Sequence, residues 1–187
     1  EATYFDFNAD KLERIAKAGA DIGLELFVLD DGWFGSRRND QSGLGDWVVS
    51  PAVYPHGLTP LIEHVESLGM DFGIWVEPEC VNEDSDVFRA NPQWALVDHG
   101  REPVRGRNQL VMNLAIPEAF DHVLHQLDVL LSTNRIAYVK WDMNRLVTEP
   151  YSGVLPPDRQ GELFHRHILG TYELYRRLTT EFPEILF

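Results

Sequence analysis

The 187-residue sequence predicts an α/β protein with a parallel sheet whose strands are joined by helical crossovers. Three short, mostly apolar runs at residues 26–29, 72–76 and 136–139 have the length and composition of buried parallel strands. Amphipathic stretches with helical spacing separate these runs. Because strands that alternate with helices are typical of parallel sheets with helical crossovers, we expect one α/β domain over residues 1–187.

Each predicted helix is marked by an apolar stripe at intervals of three and four residues. Asp10 lies near the start of the first helix, which we expect Gly19 and Gly23 to interrupt. Residues 185–187 have the composition of the start of a further strand, and residues 3–5 that of the end of an earlier one. The four stripes are Leu12, Ile15 and Ala16; Leu58, Leu61, Ile62, Val65 and Leu68; Phe120, Val123, Leu124, Leu127, Leu130 and Leu131; and Phe164, Ile168, Tyr172, Tyr175 and Leu178.

Composition argues against several classes of partner and site. The formal net charge of −14 disfavours nucleic acid, which is bound by neutralising phosphates with Lys and Arg. No run approaches the ~20 apolar residues of a membrane-spanning helix. Cys80 is the single cysteine, so no intramolecular disulfide can form, and no grouping of Cys and His has the spacing of a zinc site. We therefore expect no nucleic acid, no membrane and no metal as a partner.

Acidic residues follow each of the three predicted strands. Asp30 and Asp31 follow the first strand. Glu77 and Glu79 follow the second, and Asp142 follows the third. Parallel strands bring their carboxyl ends to one edge of the sheet, where α/β proteins place their sites. The sequence therefore predicts one pocket on which carboxylates from distant parts of the chain converge.

The segment after the third strand combines a lysine with a carboxylate. Side chains alternate along a strand with a period of two, so we expect one shared face for Tyr138, Lys140, Asp142 and Asn144. A lysine beside an aspartate lowers the pKa of the carboxyl group and keeps it ionised. An ionised carboxylate at a pocket is competent as a nucleophile.

Three tryptophans, Trp33, Trp75 and Trp141, lie on or beside the same strand ends. Aromatic faces beside carboxylates suit sugars, which offer apolar C–H faces and polar hydroxyl edges.

Each acidic feature at the strand ends also has a structural explanation when it is taken alone. The aspartate pair before Gly32 suits a turn, the glutamates that flank Pro78 suit a solvated loop, and the lysine and aspartate after the third strand suit an ion pair. The three strand ends together favour a site.

Six segments, in order along the chain, resemble the catalytic barrel of glycoside hydrolase family thirty-six, the larger bacterial α-galactosidases. They are residues 1–6, 27–35, 43–47, 73–79, 106–110 and 138–145. The resemblance implies a partial (β/α)₈ TIM barrel, roughly its first half, from the end of strand 1 to the start of strand 5. It implies hydrolysis of terminal α-galactosyl residues, as in melibiose and raffinose, with retention of anomeric configuration and without a cofactor. It also implies a small-molecule galactoside as ligand, a cytoplasmic location and a homo-oligomeric parent protein.

The resemblance assigns roles to residues of the strand ends. Asp142 matches the catalytic nucleophile. Lys140 matches a residue that binds a sugar hydroxyl. Asp30 and Asp31 match the pair that binds the hydroxyls by which galactose differs from glucose.

Further matches concern the pocket wall and the second carboxyl group. Trp75 and Arg107 match pocket residues, while Asp46 and Trp47 match a motif to which the resemblance assigns no role. The family's general acid/base is an aspartate well downstream, after a Cys-Ser-Gly-Gly-type segment, and neither occurs in these 187 residues. Retaining glycosidases need two carboxyl groups roughly 5–5.5 Å apart. We therefore expect this chain by itself to turn over substrate poorly or not at all.

Two other functions remain open at this point. Raffinose synthases are relatives that transfer galactose to another sugar, and their nucleophile and galactose site would look alike. A galactoside-binding module without turnover is the second alternative. It has little need for a nucleophile with these neighbours, so we place it behind the hydrolase.

Overall fold

A computed structural model describes residues 3–98 and 100–187, in which strands and helices alternate. The helices are α1 (Ala9–Asp21), α2 (Thr59–Ser67), α3 (Asp86–Ala90), α4 (Pro117–Thr133) and α5 (Leu163–Glu181), with two 3₁₀ helices at Pro92–Trp94 and Pro157–Glu162. The strands are β1 (Leu26–Leu29), β2 (Asp71–Val76), β3 (Cys80–Val81), β4 (Leu110–Val111) and β5 (Tyr138–Trp141). The three predicted strands are present, and the third begins and ends two residues later than expected.

β1, β2 and β5 form a three-stranded parallel sheet in that order. Beyond β5, the Val139 N–H donates to the Leu186 carbonyl at 2.8 Å, and the Leu186 N–H donates to the Ala137 carbonyl at 2.9 Å. The predicted start of a further strand therefore pairs in parallel with β5. The mixed α/β class with a parallel sheet and helical crossovers is confirmed.

Residues 3–5 were expected to end a strand, and this prediction is wrong. The Asp6 N–H donates to the Thr3 carbonyl at 3.0 Å and closes a turn. Tyr4 has a φ of +48°, whereas a strand needs negative φ, and positive φ is uncommon outside glycine. Tyr4 and Phe5 instead line the cavity described below.

The first helix begins at a polar cap and ends before a glycine. The Asn8 side chain accepts a hydrogen bond from the Lys11 N–H at 2.9 Å, as expected of an N-cap. Contrary to expectation, α1 runs through Gly19 and ends shortly before Gly23, whose φ is +85°. A β-carbon at position 19 would lie 3.1 Å from the Leu24 Cδ1, so Gly19 allows the following connection to pack closely on the helix.

One hydrophobic cluster contains most of the buried apolar side chains and joins the sheet to the helices. Burying an aliphatic or aromatic side chain of this size stabilises a fold by about 1.5–3 kcal/mol. The cluster therefore fixes the strands on which the cavity depends. Its members from β2, β5, α2 and α4 include Phe72, Ile74, Val139, Ile62, Val65, Val123 and Leu127.

The apolar stripe predicted for α5 is buried only in part, since Leu178 is 1% exposed but other members face solvent. Phe164, Ile168 and Tyr172 are 45%, 41% and 66% exposed. The hydroxyl of Thr171 donates to the Glu79 carboxylate at 2.9 Å, so polar side chains of α5 turn toward a buried carboxylate. The apolar stripe did not predict most of the buried residues correctly, because α5 contacts a carboxylate as well as packing against the hydrophobic core. The buried residues are Leu163, His167, Thr171, Leu174 and Leu178.

The long connection after β1 is packed against the core. Asp46 accepts hydrogen bonds from the backbone N–H groups of Asp86 and Val87, at 2.8 and 3.0 Å, in the first turn of α3. Satisfying N–H groups at a helix start typically contributes about 1 kcal/mol. Asp46 thus has a structural contact where the sequence suggested no role. Three aromatic side chains of this connection are at most 1% exposed: Trp33, Phe34 and Trp47.

Candidate active site

A cavity of about 580 Å³ lies at the carboxyl ends of β1, β2 and β5. Leu29 pairs with Ile74, and Trp75 pairs with Lys140, so the residues that follow the strands share one edge of the sheet. This is the convergence that the strand-end carboxylates predicted. All six residues that the resemblance placed at the site line the cavity: Asp30, Asp31, Trp75, Arg107, Lys140 and Asp142.

Asp142 follows β5, and both of its carboxylate oxygens accept hydrogen bonds. Oδ2 accepts from the Trp75 indole N–H at 3.1 Å and from the Asn144 amide at 2.5 Å, while Oδ1 accepts from the Met143 N–H at 2.9 Å. Burial raises the pKa of Asp142, but these three bonds and the charge of Lys140 outweigh burial and leave the pKa below its ordinary value. The carboxylate is therefore ionised at neutral pH and fixed in orientation.

Lys140 forms a direct ion pair with Asp30. Its Nζ lies 2.7 Å from the Asp30 Oδ2, and the two side chains are 38% and 22% exposed. The sequence predicted that Lys140 lowers the pKa of Asp142, and the direction is correct. The larger lowering effects come from hydrogen bonds donated by Trp75 and Asn144, which the sequence argument did not include. The ion pair instead joins the end of β1 to the end of β5, across β2.

Asp31 is held by Arg37, a residue that no sequence pattern singled out. The Nε and Nη2 atoms of Arg37 donate to the two carboxylate oxygens of Asp31 at 2.8 and 2.7 Å. The arginine side chain is 2% exposed and the aspartate 26%. A bidentate pair of this kind fixes both the position and the orientation of a carboxylate.

Arg107 reaches the cavity from a strained turn. Arg107 and Asn108 have φ values of +55° and +62°, and the Gln109 N–H donates to the Gly106 carbonyl at 3.0 Å. Positive φ at both central residues is typical of a type I′ turn, which favours Asn and Gly. A residue with a long side chain there costs about 1–2 kcal/mol, and such strain is most often found at functional sites. The other arginines between residues 98 and 108 do not line the cavity.

Glu77 is a further carboxylate at the cavity and is fully buried, with 0% exposure. Its Oε1 accepts from the backbone N–H of Asn144, and its Oε2 accepts from the Gln109 amide at 3.2 Å. Burial raises the pKa of Glu77, and the charge of Asp142 raises it further, while the hydrogen bonds from Asn144 only partly offset this. Glu77 and Asp142 therefore have pKa values shifted in opposite directions, although both contact Asn144.

Glu79 and two of the three tryptophans were expected at the pocket and lie elsewhere. Glu79 accepts hydrogen bonds from the Thr171 hydroxyl at 2.9 Å and the Trp141 indole at 3.3 Å. The chain turns after β2, so this carboxylate points toward α5. Trp33 is fully buried, and its indole donates to the Trp75 carbonyl at 2.8 Å. Of the three rings, that of Trp75 lines the cavity.

Cys80 and the six histidines among the described residues are outside the cavity lining, as the sequence suggested. Cys80 is fully buried, burial raises the pKa of its thiol, and its Sγ lies 3.5 Å from the Met143 Sδ. His167 is 1% exposed, and its Nε2 lies 3.8 Å from the Glu79 Oε2. Burial lowers the pKa of His167 and favours its neutral form. His99 lies outside the described residues.

Several cavity residues were missed because they lie in loops, where side chains follow no period. Asn144 also lies in a loop, but its alternation with Lys140 and Asp142 correctly placed it on the cavity side. Gln109 lies in segment 106–110, which carries the family resemblance, but the resemblance assigned no role to it. The lining residues without a prediction are Tyr4, Phe5, Arg37, Asn39, Asp40 and Gln109.

Residues 3–98 and 100–187 contain neither a cluster of metal ligands nor a membrane-spanning helix. No group of three or more His, Cys, Asp or Glu side chains in this part of the chain is arranged to hold a metal ion. No helix within it is both long and apolar enough to cross a membrane.

Curated proteins and solved structures are similar to the whole chain. α-Galactosidase 1 of Pediococcus pentosaceus is 47% identical over 187 residues, which cover 100% of this chain and 26% of that protein. The crystal structure of the α-galactosidase AgaB from Geobacillus stearothermophilus has a TM-score of 0.96 and 49% identity, with 100% of this chain and 26% of that chain covered. A variant of AgaA from the same organism, in complex with raffinose, has a TM-score of 0.95 and 46% identity, with 99% and 26% covered.

This chain therefore spans about a quarter of the length of the relatives that it matches. The family model described as Melibiase matches residues 1–187, and the family resemblance expected from the sequence is confirmed. The chain belongs to the melibiase family.

Proposed function

We propose that this chain carries the galactoside site and the nucleophile of a retaining α-galactosidase. The observation on which the proposal rests is the carboxylate of Asp142, which is ionised and fixed by Trp75 in a cavity that also contains Asp30 and Asp31. Relatives that are similar over the whole chain and are named α-galactosidases support the activity.

In the proposed mechanism, a carboxylate oxygen of Asp142 attacks the anomeric carbon, and the bond from that carbon to the leaving oxygen breaks. A general acid protonates the leaving oxygen. In the family this acid is an aspartate without a counterpart in these 187 residues. The same group then removes a proton from water, whose oxygen attacks the anomeric carbon and releases Asp142. Two inversions at one carbon retain its configuration.

Substrate recognition is assigned to the remaining wall of the cavity. Asp30 and Asp31 accept hydrogen bonds from galactose hydroxyls, and Lys140 and Arg107 donate to others. The ring of Trp75 offers an apolar face to the C–H groups of the sugar. We propose terminal α-galactosyl residues of oligosaccharides such as melibiose and raffinose as substrates. Complexes of AgaA variants with raffinose and stachyose support this choice.

We also propose that the parallel sheet is part of a (β/α)₈ barrel within one domain that includes residues 1–187. The consecutive parallel order of β1, β2 and β5 and the parallel pairing of Leu186 with Tyr138 support this arrangement. The expected end of strand 1 at residues 3–5 is a turn, so the proposal covers β1, β2, β5 and residues 185–187. The cytoplasmic location and the homo-oligomeric state stay predictions.

The function is tested by assaying the full-length gene product with melibiose, raffinose and p-nitrophenyl α-D-galactoside. We expect hydrolysis of all three, with the α-anomer of galactose released first when product is followed by NMR. Release of the β-anomer would contradict a retaining mechanism. A trisaccharide formed at the expense of free galactose when sucrose is added would favour the transferase. Galactose binding without any turnover would favour the binding module.

A further inference from the structure

The fully buried side chain of Asn82 joins two parts of the cavity wall. Its Oδ1 accepts hydrogen bonds from the Arg37 Nη1 at 3.0 Å and from the Leu44 N–H at 2.9 Å. Its Nδ2 donates to the Asn108 carbonyl at 2.8 Å. Because the oxygen faces two donors and the nitrogen faces an acceptor, a rotated amide would lose all three bonds. The network therefore requires an amide in this orientation.

Arg37 connects Asn82 to Asp31. Two of its nitrogens donate to the carboxylate of Asp31, and its Nη1 donates to the Ser42 carbonyl at 3.1 Å as well as to Asn82. The guanidinium is 2% exposed and held by three different groups. A planar group with so many fixed partners keeps the Asp31 carboxylate in one orientation.

The other end of the network lies in the turn that carries Arg107. The Asn108 carbonyl that accepts from Asn82 belongs to the second of two consecutive residues with positive φ. Strained backbone of this kind persists where the surrounding structure holds it in place. The buried amide of Asn82 supplies such a contact directly beside Arg107.

We propose that Arg37 and Asn82 are positioning residues that hold Asp31 and Arg107 in a fixed relation for binding the galactosyl group. The inference rests on the proposed function, since Asp31 and Arg107 act on the sugar there. Asp31, Arg37 and Arg107 line the cavity, while Asn82 and Asn108 are outside its lining. A buried ion pair is weak evidence for stability, because apolar residues of similar volume often stabilise as well or better. Stability alone therefore does not explain this buried polar network, whereas the placement of two substrate-binding groups does.

The experiment uses the full-length gene product in wild-type form and as Arg37→Met, Arg37→Lys and Asn82→Asp. Arg37→Met removes the hydrogen bonds from the guanidinium to Asp31, Ser42 and Asn82, and Arg37→Lys keeps the charge but loses the bidentate geometry. Asn82→Asp keeps an acceptor for Arg37 but places an oxygen against the Asn108 carbonyl. The measured quantities are KM and kcat for p-nitrophenyl α-D-galactoside, and the inhibition constant of galactose, well below each unfolding midpoint.

Two control variants repeat the same chemical changes away from the cavity. Arg135→Lys alters a 61% exposed arginine that pairs with Glu66. Asn8→Asp alters the cap of α1, where the Asn8 side chain accepts a hydrogen bond from Lys11 and an aspartate accepts equally well. We expect KM within about twofold of wild type for both, as is usual for surface changes.

We expect Arg37→Met to raise KM and the galactose inhibition constant by up to about 100-fold, the size of loss that a misplacement of about 1 Å in a substrate-positioning group can cause. Arg37→Lys restores part of this affinity, and Asn82→Asp raises KM about tenfold by releasing the Arg107 turn. These effects fall on KM more than on kcat, because Asp142 is outside the network. If Arg37→Met does not fold, the two conservative variants decide the question.

A merely structural role predicts a different result. Partial unfolding reduces the number of active molecules, so apparent kcat falls while KM of the folded molecules stays unchanged. If wild type is active and KM is unchanged in Arg37→Lys and Asn82→Asp, this inference is overturned, but the proposed function is not. A wild type that neither hydrolyses galactosides nor binds galactose by calorimetry would instead remove the proposed function, and the inference with it.

Discussion

The ends of β2 and β5 each place a carboxylate at the cavity, and the pKa values of the two are shifted in opposite directions. Glu77, after β2, is fully buried, and burial raises its pKa. Asp142, after β5, is partly exposed, and three donated hydrogen bonds bring its pKa below the ordinary value despite burial. Asn144 contacts both groups, through its backbone N–H to Glu77 and its amide to Asp142. The less buried carboxylate, whose hydrogen bonds outweigh its burial, is the one suited to attack.

This difference shows that the number of carboxylates at a strand edge does not define their roles. An ionised nucleophile needs donors whose effect exceeds that of burial, while deeper burial favours the protonated form of a carboxyl group. Glu77 and Asp142 follow neighbouring strands, yet their surroundings separate them.

The largest effect is expected from Asp142→Asn in the full-length gene product. The amide has nearly the same shape but cannot form a glycosyl ester, so kcat should fall by about 10⁴-fold or more. The unfolding midpoint should change little, because the side chain is partly exposed. Glu77→Gln is the matched comparison, and equal losses of kcat in the two variants would contradict the separation of roles.

Trp75→Phe is expected to produce an intermediate effect. The change keeps an aromatic ring but removes the N–H that donates to Asp142 at 3.1 Å. Loss of one hydrogen bond to a charged group should lower kcat/KM about tenfold. Because that bond lowers the pKa of Asp142, its loss raises the pKa and moves the acid limb of the kcat/KM profile to higher pH. Trp94→Phe, at a ring that packs on His122, is the control and should leave the acid limb in place.

Glu77→Gln should have the smallest effect of the three changes, and it should alter stability more than activity. The folded-state pKa of Glu77 is raised, so the folded protein binds this proton more tightly than the unfolded chain. Wild type therefore loses stability as pH rises from the ordinary glutamate value through the raised value. The variant lacks this loss, and the Gln109 Oε1, which has no hydrogen-bond partner among the described residues, is available to accept from the new amide.

The measurement is the unfolding midpoint of wild type and Glu77→Gln between pH 4 and pH 8. Relative to wild type, the variant should gain stability as pH rises, and the gain should disappear near the acidic end. Glu102→Gln, at a side chain that is 92% exposed, should show no such trend. A difference that grows toward acidic pH would contradict the raised pKa of Glu77.

The sheet and five of the six proposed site residues followed from local sequence features. Apolar runs identified β1, β2 and β5, and their parallel order brought Asp30, Asp31, Trp75 and Asp142 to one edge. Period-two alternation correctly placed Lys140 beside them. These signals succeed because the regular geometry of a strand determines where each side chain of a short sequence pattern lies.

The remaining contacts depend on packing between distant segments. Arg37 and Asn82 are 45 positions apart, and no periodicity relates them. The polar buried face of α5 arises because Glu79 turns away from the cavity, which the composition of the helix does not show. Arg107 was placed by the family resemblance alone, since its strained turn has no glycine at either central position.

The most direct test is covalent labelling of the full-length gene product with 5-fluoro-α-D-galactosyl fluoride, followed by peptide mass spectrometry. Fluoride leaves readily, so a galactosyl-enzyme forms with little help from the general acid, and the ring fluorine slows its hydrolysis. The account predicts one adduct, on Asp142, that is absent from Asp142→Asn. An adduct on Glu77, Asp30 or Asp31 instead would contradict the assignment of the nucleophile.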